Sequence, residues 1–86
     1  MQQPLTSFES DEYEYEIHHP TKPLILSEGN KWTTRYNKRK VFYRKEEAFT
    51  YLNSIRHRGK VIEIYYINNF YKGWFNSVMN LREVTE

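Results

Sequence analysis

KEEAFTYLNSIRHRGKVIEIYYI, residues 45–67, contains the change of hydrophobic period on which the fold turns. Its first half places Ala48, Tyr51, Leu52 and Ile55 at i, i+3, i+4 and i+7, the apolar stripe of an amphipathic helix. Glu46 and Glu47 fall in the first turn and Arg56, His57 and Arg58 in the last, as the helix dipole favours. Gly59 is placed to end such a helix in the left-handed conformation. A helix over 45–57 is therefore predicted. Val61–Ile67 is then apolar on both faces except at Glu63, which predicts an interior strand. The pair points to an α+β fold: a small mixed or antiparallel sheet of hairpin, helix and strand, with one packed helix and a possible C-terminal helix.

Upstream, Trp32–Tyr36 and Lys40–Arg44 read as a β-hairpin around Asn37-Lys38. Its parity puts Trp32, Thr34, Tyr36, Val41 and Tyr43 on one face and Thr33, Arg35, Lys40, Phe42 and Arg44 on the other. The helix is long enough to serve as a right-handed crossover from Lys40–Arg44 to Val61–Ile67. Earlier still, Glu12–Ile17 alternate strictly, so that Tyr13, Tyr15 and Ile17 face one way and three glutamates the other. Pro20 and Pro23 interrupt any ladder, and Leu24–Leu26 suit a short strand before the turn at Ser27–Asn30. Residues 1–11 are polar and read as a loose terminus, leaving 12–86 as a single domain. Downstream, Phe70, Trp74, Val78 and Leu81 have helical spacing with Asn69 available as a cap, which favours a helix. Gly73 and the density of aromatic residues also suit a strand pair.

Eighty-six residues make a small domain, which buries only about 60–65 % of the surface exposed by its unfolded chain. There is no cysteine, so neither disulfides nor thiolate zinc sites can reinforce it. Trp32, Trp74 and the many Tyr and Phe residues must supply the burial. No apolar run approaches the length of a bilayer span and no secretion signal is apparent, so a soluble, cytoplasmic protein without membrane contact is expected.

Charge is divided unevenly. Residues 1–28 hold six acids against Lys22, residues 29–60 ten bases against Glu46 and Glu47, and residues 61–86 two bases against three acids. The formal net charge of +2 hides a basic centre. Such asymmetry bears on partners rather than on fold. Between Asn30 and Lys45 stand Lys31, Arg35, Lys38, Arg39, Lys40, Arg44 and Lys45 with no acid, and Phe42 lies among them on the expected hairpin. Arg56, Arg58 and Lys60 extend the field at the end of the helix. A ribbon of this kind fits a nucleic-acid groove, with cations tracking phosphates and rings stacking on bases. It fits an acidic protein surface equally. The plain alternative is a solvated face, where lysines protect strand edges. The acidic strand has similar options: a partner for the hairpin, a mimic of phosphates, or an ordinary edge strand.

The stretch KWTTRYNKRKVFYRKEEAFTYLNSI, residues 31–55, resembles the Trp-strand, hairpin and "F-x-x-x-E-A" helix module of small phage proteins. It is also similar to the strand-strand-helix part of AP2-type and integrase arm-binding domains. The resemblance implies a phage accessory protein, acting in the host cytoplasm, with Arg35, Lys40 and Arg44 on nucleic acid and Glu47-Ala48 at the helix start. The chain departs from those domains in lacking a Gly-Val-Arg-like first strand and in adding Val61–Ile67.

Catalytic chemistry finds little support. His18 and His19 point oppositely on extended chain, and Glu16 with His18 gives two ligands, too few for a metal. His57, Lys60 and Tyr51 are the only set that suggests a small ribonuclease. The three glycines are scattered, which excludes nucleotide-binding loops. The expectation is thus a non-enzymatic protein without cofactor or metal, binding RNA or DNA through the basic hairpin. The alternative is an inhibitor of a host factor such as a defence nuclease, with Tyr71, Trp74 and Phe75, beside Phe70, as its protein interface. Homodimerisation through an exposed aromatic tail is compatible with either.

Overall fold

A computed structural model describes residues 5–86. Its spine is one strand, β5 (Lys60–Tyr71), twelve residues long. Strand β6 (Trp74–Val84) returns along it, pairing at every position from Tyr71–Trp74 to Val61–Val84. Lys72 and Gly73 make the turn, with Gly73 at φ 88°, where a residue without Cβ is favoured. On the other edge of β5 lie two collinear strands. β1 (Thr6–Glu9) pairs with Phe70–Ile67, and β2 (Glu14–His18) pairs with Ile64–Lys60. β3 (Ile25–Leu26) and β4 (Trp32–Thr33) continue the sheet outward from β2. All ladders are antiparallel, giving a six-stranded sheet with one helix, α1 (Lys45–Ser54): a small α+β protein, as expected.

The register divides the sheet into a helix face and an open face. Tyr15, Ile17, Leu26 and Val61 project toward α1 and form the core with Phe42 and Ala48. Tyr51, Leu52 and Ile55 pack against this cluster, so the stripe read from the sequence is the buried stripe. β2 divides its residues between the two faces as expected, but Glu16 is buried on its face as Tyr15 and Ile17 are on theirs. Only this end of the sheet is covered by α1. Beyond it the β5–β6 hairpin, with β1 along its edge, projects as an arm. The molecule measures 49 × 24 × 19 Å, and its radius of gyration is 15.4 Å. A compact domain of this length would have about 12 Å.

Several expectations are corrected. The hairpin of Trp32–Tyr36 with Lys40–Arg44 does not form: Trp32 and Thr33 pair backward with Leu26 and Ile25, and Tyr36–Lys38 is a single 3₁₀ turn. Arg39 bridges to Ser27, and Phe42 bridges to Tyr15 through two hydrogen bonds of 2.8 Å. Burial explains the outcome. The expected register separated Phe42 from Trp32, whereas both belong with the core on the helix face. No parallel crossover follows, since every partner of β5 runs antiparallel to it. α1 stops at Ser54, with Ile55 extended at φ −107° and ψ 166°, so Arg56–Arg58 lie outside it. Gly59 does not cap it in the left-handed conformation; it lies where a Cβ would stand 2.9 Å from Ile17 Cγ2.

The tail is a strand pair and not a helix, because Phe70 and Leu81 face one side while Trp74 and Val78 face the other. β2 is an interior strand rather than an edge. Thr6–Glu9 of the expected loose terminus are paired with β5, while residues 1–4 of it lie outside the described range. No helix among the described residues is long and apolar enough to cross a membrane.

Candidate binding face on the β-arm

The basic residues singled out in the sequence do not share one surface. Arg39 turns onto the open face, where its Nε stands 3.2 Å from Glu16 Oε2 and its Nη2 3.8 Å from Glu14. Its guanidinium also lies 3.8 Å from the centre of the Tyr36 ring. Glu16 is 0 % exposed and meets His18 Nε2 at 2.6 Å through its other oxygen. The Arg39–Glu16 contact is ionic without an aligned hydrogen bond. Lys40 pairs with Glu28 at 3.7 Å and lies over the Tyr51 ring at 4.7 Å. The acidic β2 and the turn after β3 thus neutralise the two bases at the centre of the basic run.

Phe42 is buried. Arg44 and Lys45 sit at the start of α1, Arg56 and Arg58 follow its end, and Lys60 opens β5 opposite His18. Lys31, Arg35 and Lys38 remain exposed and line an open groove of about 380 Å³ beside Trp32 and Thr33. His57 and Tyr51 both hold the Asn30 turn, whose φ is 59°: His57 Nε2 lies 2.9 Å from the Asn30 carbonyl, and the Tyr51 hydroxyl donates to Oδ1. His57 also packs against Trp32, as His19 does.

The arm is different in character. On its open face the register aligns Phe70 with Phe75, Phe8 with Asn68 and Ser77, Tyr66 with Met79, and Ile64 with Leu81. Phe8 stacks on Phe70 at 5.6 Å, and Phe70 meets Phe75 at 4.9 Å. Six of these side chains, Phe8, Tyr66, Phe70, Phe75, Met79 and Leu81, are 40–52 % exposed. Within the polar row among them, the Ser77 hydroxyl donates to Asn68 Oδ1 at 2.5 Å. Among the described residues paired in β1, β5 and β6, none that stands on this face between the Lys72 turn and the Glu14 and Glu83 positions at its base is charged. Large apolar area without interleaved charge is the composition of an interface core.

The other side of the arm is built differently. There the Glu63 carboxylate accepts from the Tyr15 hydroxyl at 2.6 Å and from Arg82 Nε at 2.6 Å. Arg82 Nη2 also reaches Glu9 Oε1 at 3.0 Å, and its guanidinium covers the Tyr65 ring at 4.2 Å. Burial, then the bond to Glu63, pushes the Tyr15 phenol up to about 12. The hydrogen bond to Glu9 raises that of Tyr13. Glu63 beside Arg82 raises the guanidinium further. These bonds tie β1, β2, β5 and β6 together where the arm leaves the core. Tyr71 stacks on Trp74 at 4.2 Å beyond them, across the hairpin end.

Of the expected protein interface, Trp74 and Phe75 are exposed, on opposite faces. Phe8, Tyr66, Met79 and Leu81 had no signal strong enough to be found. Phe8 stands in a polar segment, and Tyr65-Tyr66-Ile67 shows no alternation. No family model, characterised protein or solved structure matches the chain.

Proposed function

We propose that this is a non-enzymatic binding protein that engages another protein through the open face of its β-arm. The observation that carries the reading is the uncharged row of aromatic and aliphatic side chains on one face of the arm, half exposed and away from the helix. Contiguous apolar patches beyond a few hundred Å² on a soluble chain mark sites of association. Binding of this kind supports an inhibitor or adaptor that occupies a partner's surface. A second reading, nucleic-acid binding, keeps Lys31, Arg35 and Lys38 around the Trp32 groove as its site. It loses Arg39 and Lys40, which are held by carboxylates.

Photocrosslinking tests the first reading. With benzoylphenylalanine replacing Met79, the full chain is expected to crosslink to protein in nuclease-treated lysate, while the same group replacing Val78, on the opposite face, gives none. Equal yields from both positions, or no adduct from Met79, contradict it. An adduct that disappears with nuclease, together with salt-sensitive oligonucleotide binding lost on Lys31→Glu and Arg35→Glu, favours the nucleic-acid reading instead.

A further inference from the structure

We infer that the occupant of this face is a second copy of the same chain, with the two arms packed antiparallel and face to face; this rests on the protein-binding reading above. The twofold axis lies between the sheets, across the strands, at the level of the Phe8–Asn68–Ser77 row. Such an axis makes an isologous contact, in which each residue's partner is fixed by its distance from the axis.

Three features of the face fit that operation. The first is its layout. Phe70 and Phe75 lie two residues from the Asn68–Ser77 row on the tip side, and Tyr66 and Met79 lie two residues away on the base side. The rotation therefore sets Phe75 of one copy over Met79 of the other, and Phe70 over Tyr66. Sulfur–aromatic and ring–ring contacts follow, both favourable. The polar row falls on the axis, where Ser77 already bonds Asn68 Oδ1 and the Asn68 amide N–H groups meet the same row of the other copy.

The second feature is charge. Lys72 forms the tip, and Glu83 stands on the open face at the base of β6. The same rotation brings each lysine, four residues from the row, to the level of Leu81 in the other copy, two residues short of Glu83 and level with Glu14, which Arg39 meets at 3.8 Å. The middle of the face carries no charge and so sets no like-charge repulsion against its own image.

The third is area. Six side chains of about 200 Å² each, 40–52 % exposed, present roughly 550 Å² per copy, and two copies bury up to roughly 1,100 Å², at the lower edge of specific interfaces. Pairing through the free edge of β6 would instead leave this face in water.

Sedimentation of the purified full chain supplies the test. The mass is expected to double from 10.6 kDa with rising concentration. Met79→Glu is expected to remain monomeric, and Val78→Glu on the opposite face to dimerise as the wild type does. Phe75→Leu, which keeps an apolar side chain, weakens the dimer without threatening the fold. Lys72→Glu or Glu83→Lys alone is expected to weaken dimerisation roughly tenfold, each exchange being felt twice by symmetry, and the two together to restore it. A wild-type monomer at every concentration overturns the dimer. If Met79 still crosslinks to another protein, the protein-binding reading survives that result; with no crosslink, both fall. A dimer broken by Val78→Glu and not by Met79→Glu overturns the face assigned here.

Discussion

Glu63 lies in a nearly dry position where the Tyr15 hydroxyl and the Arg82 guanidinium reach its carboxylate. Removing Glu63 costs more than the bond itself, because the Tyr15 hydroxyl is left buried and unpaired. Tyr15 carries this into a pH dependence. Its phenol ionises near 12 in the folded chain and near 10 when unfolded. Below pH 10 both states hold the proton and the contribution is complete. As pH rises through 10 toward 12 the unfolded chain ionises first, and about 2–3 kcal/mol of stability is lost. Urea midpoints between pH 9 and 12 are expected to fall more steeply for the wild type than for Tyr15→Phe. Parallel slopes would show that Tyr15 ionises alike in both states. None of this was legible in the sequence, where Glu63 was only the one polar residue in an apolar run.

At the scale of elements, α1 and β5 are joined by a short segment whose tightest point is Gly59. A methyl there would stand 2.9 Å from Ile17 Cγ2 and 3.0 Å from the His18 carbonyl oxygen. The second of these is backbone of an interior strand and cannot yield. Replacing Gly by Ala commonly stabilises by about 0.4–1 kcal/mol through the unfolded chain, but overpacking costs about 1–3 kcal/mol. Overpacking wins, so Gly59→Ala is expected to lower the urea midpoint by the equivalent of about 1–2 kcal/mol. An unchanged or raised midpoint would contradict the close approach. The same elements show what sequence periodicity resolves. The α1 stripe, the division of β2 into a Tyr-Ile face and a glutamate face, and the interior character of β5 were legible from their patterns; the burial of Glu16 on the second face of β2 was not. The segment 34–44 was not, since its strand-like composition serves single bridges to β2 and to Ser27, just after β3. In the tail, spacing of three and four matched a helix by coincidence, and Gly73 with the density of aromatic residues was the clue to the hairpin.

Over the whole molecule, the charge asymmetry is partly internal. Glu14, Glu16 and Glu28 meet Arg39 and Lys40, so part of the basic centre is consumed in holding the fold. The uncommitted surface is instead the apolar arm, which extends beyond the helix-covered core and gives the molecule its length. The candidate site escaped the sequence because its face is assembled from β1, β5 and β6, three segments that become neighbours only in the sheet. Met79 stands within that face and is one of two methionines in the chain. Its methyl resonance, assigned by Met79→Leu, therefore reports directly on association. In [¹³C-methyl]methionine spectra of the wild type it is expected to be shifted upfield by the Phe75 ring of the second copy, and to relax toward the unshifted position on dilution or in Phe75→Leu. A Met79 methyl that keeps one unshifted position at all concentrations, unaffected by Phe75→Leu, would contradict the account.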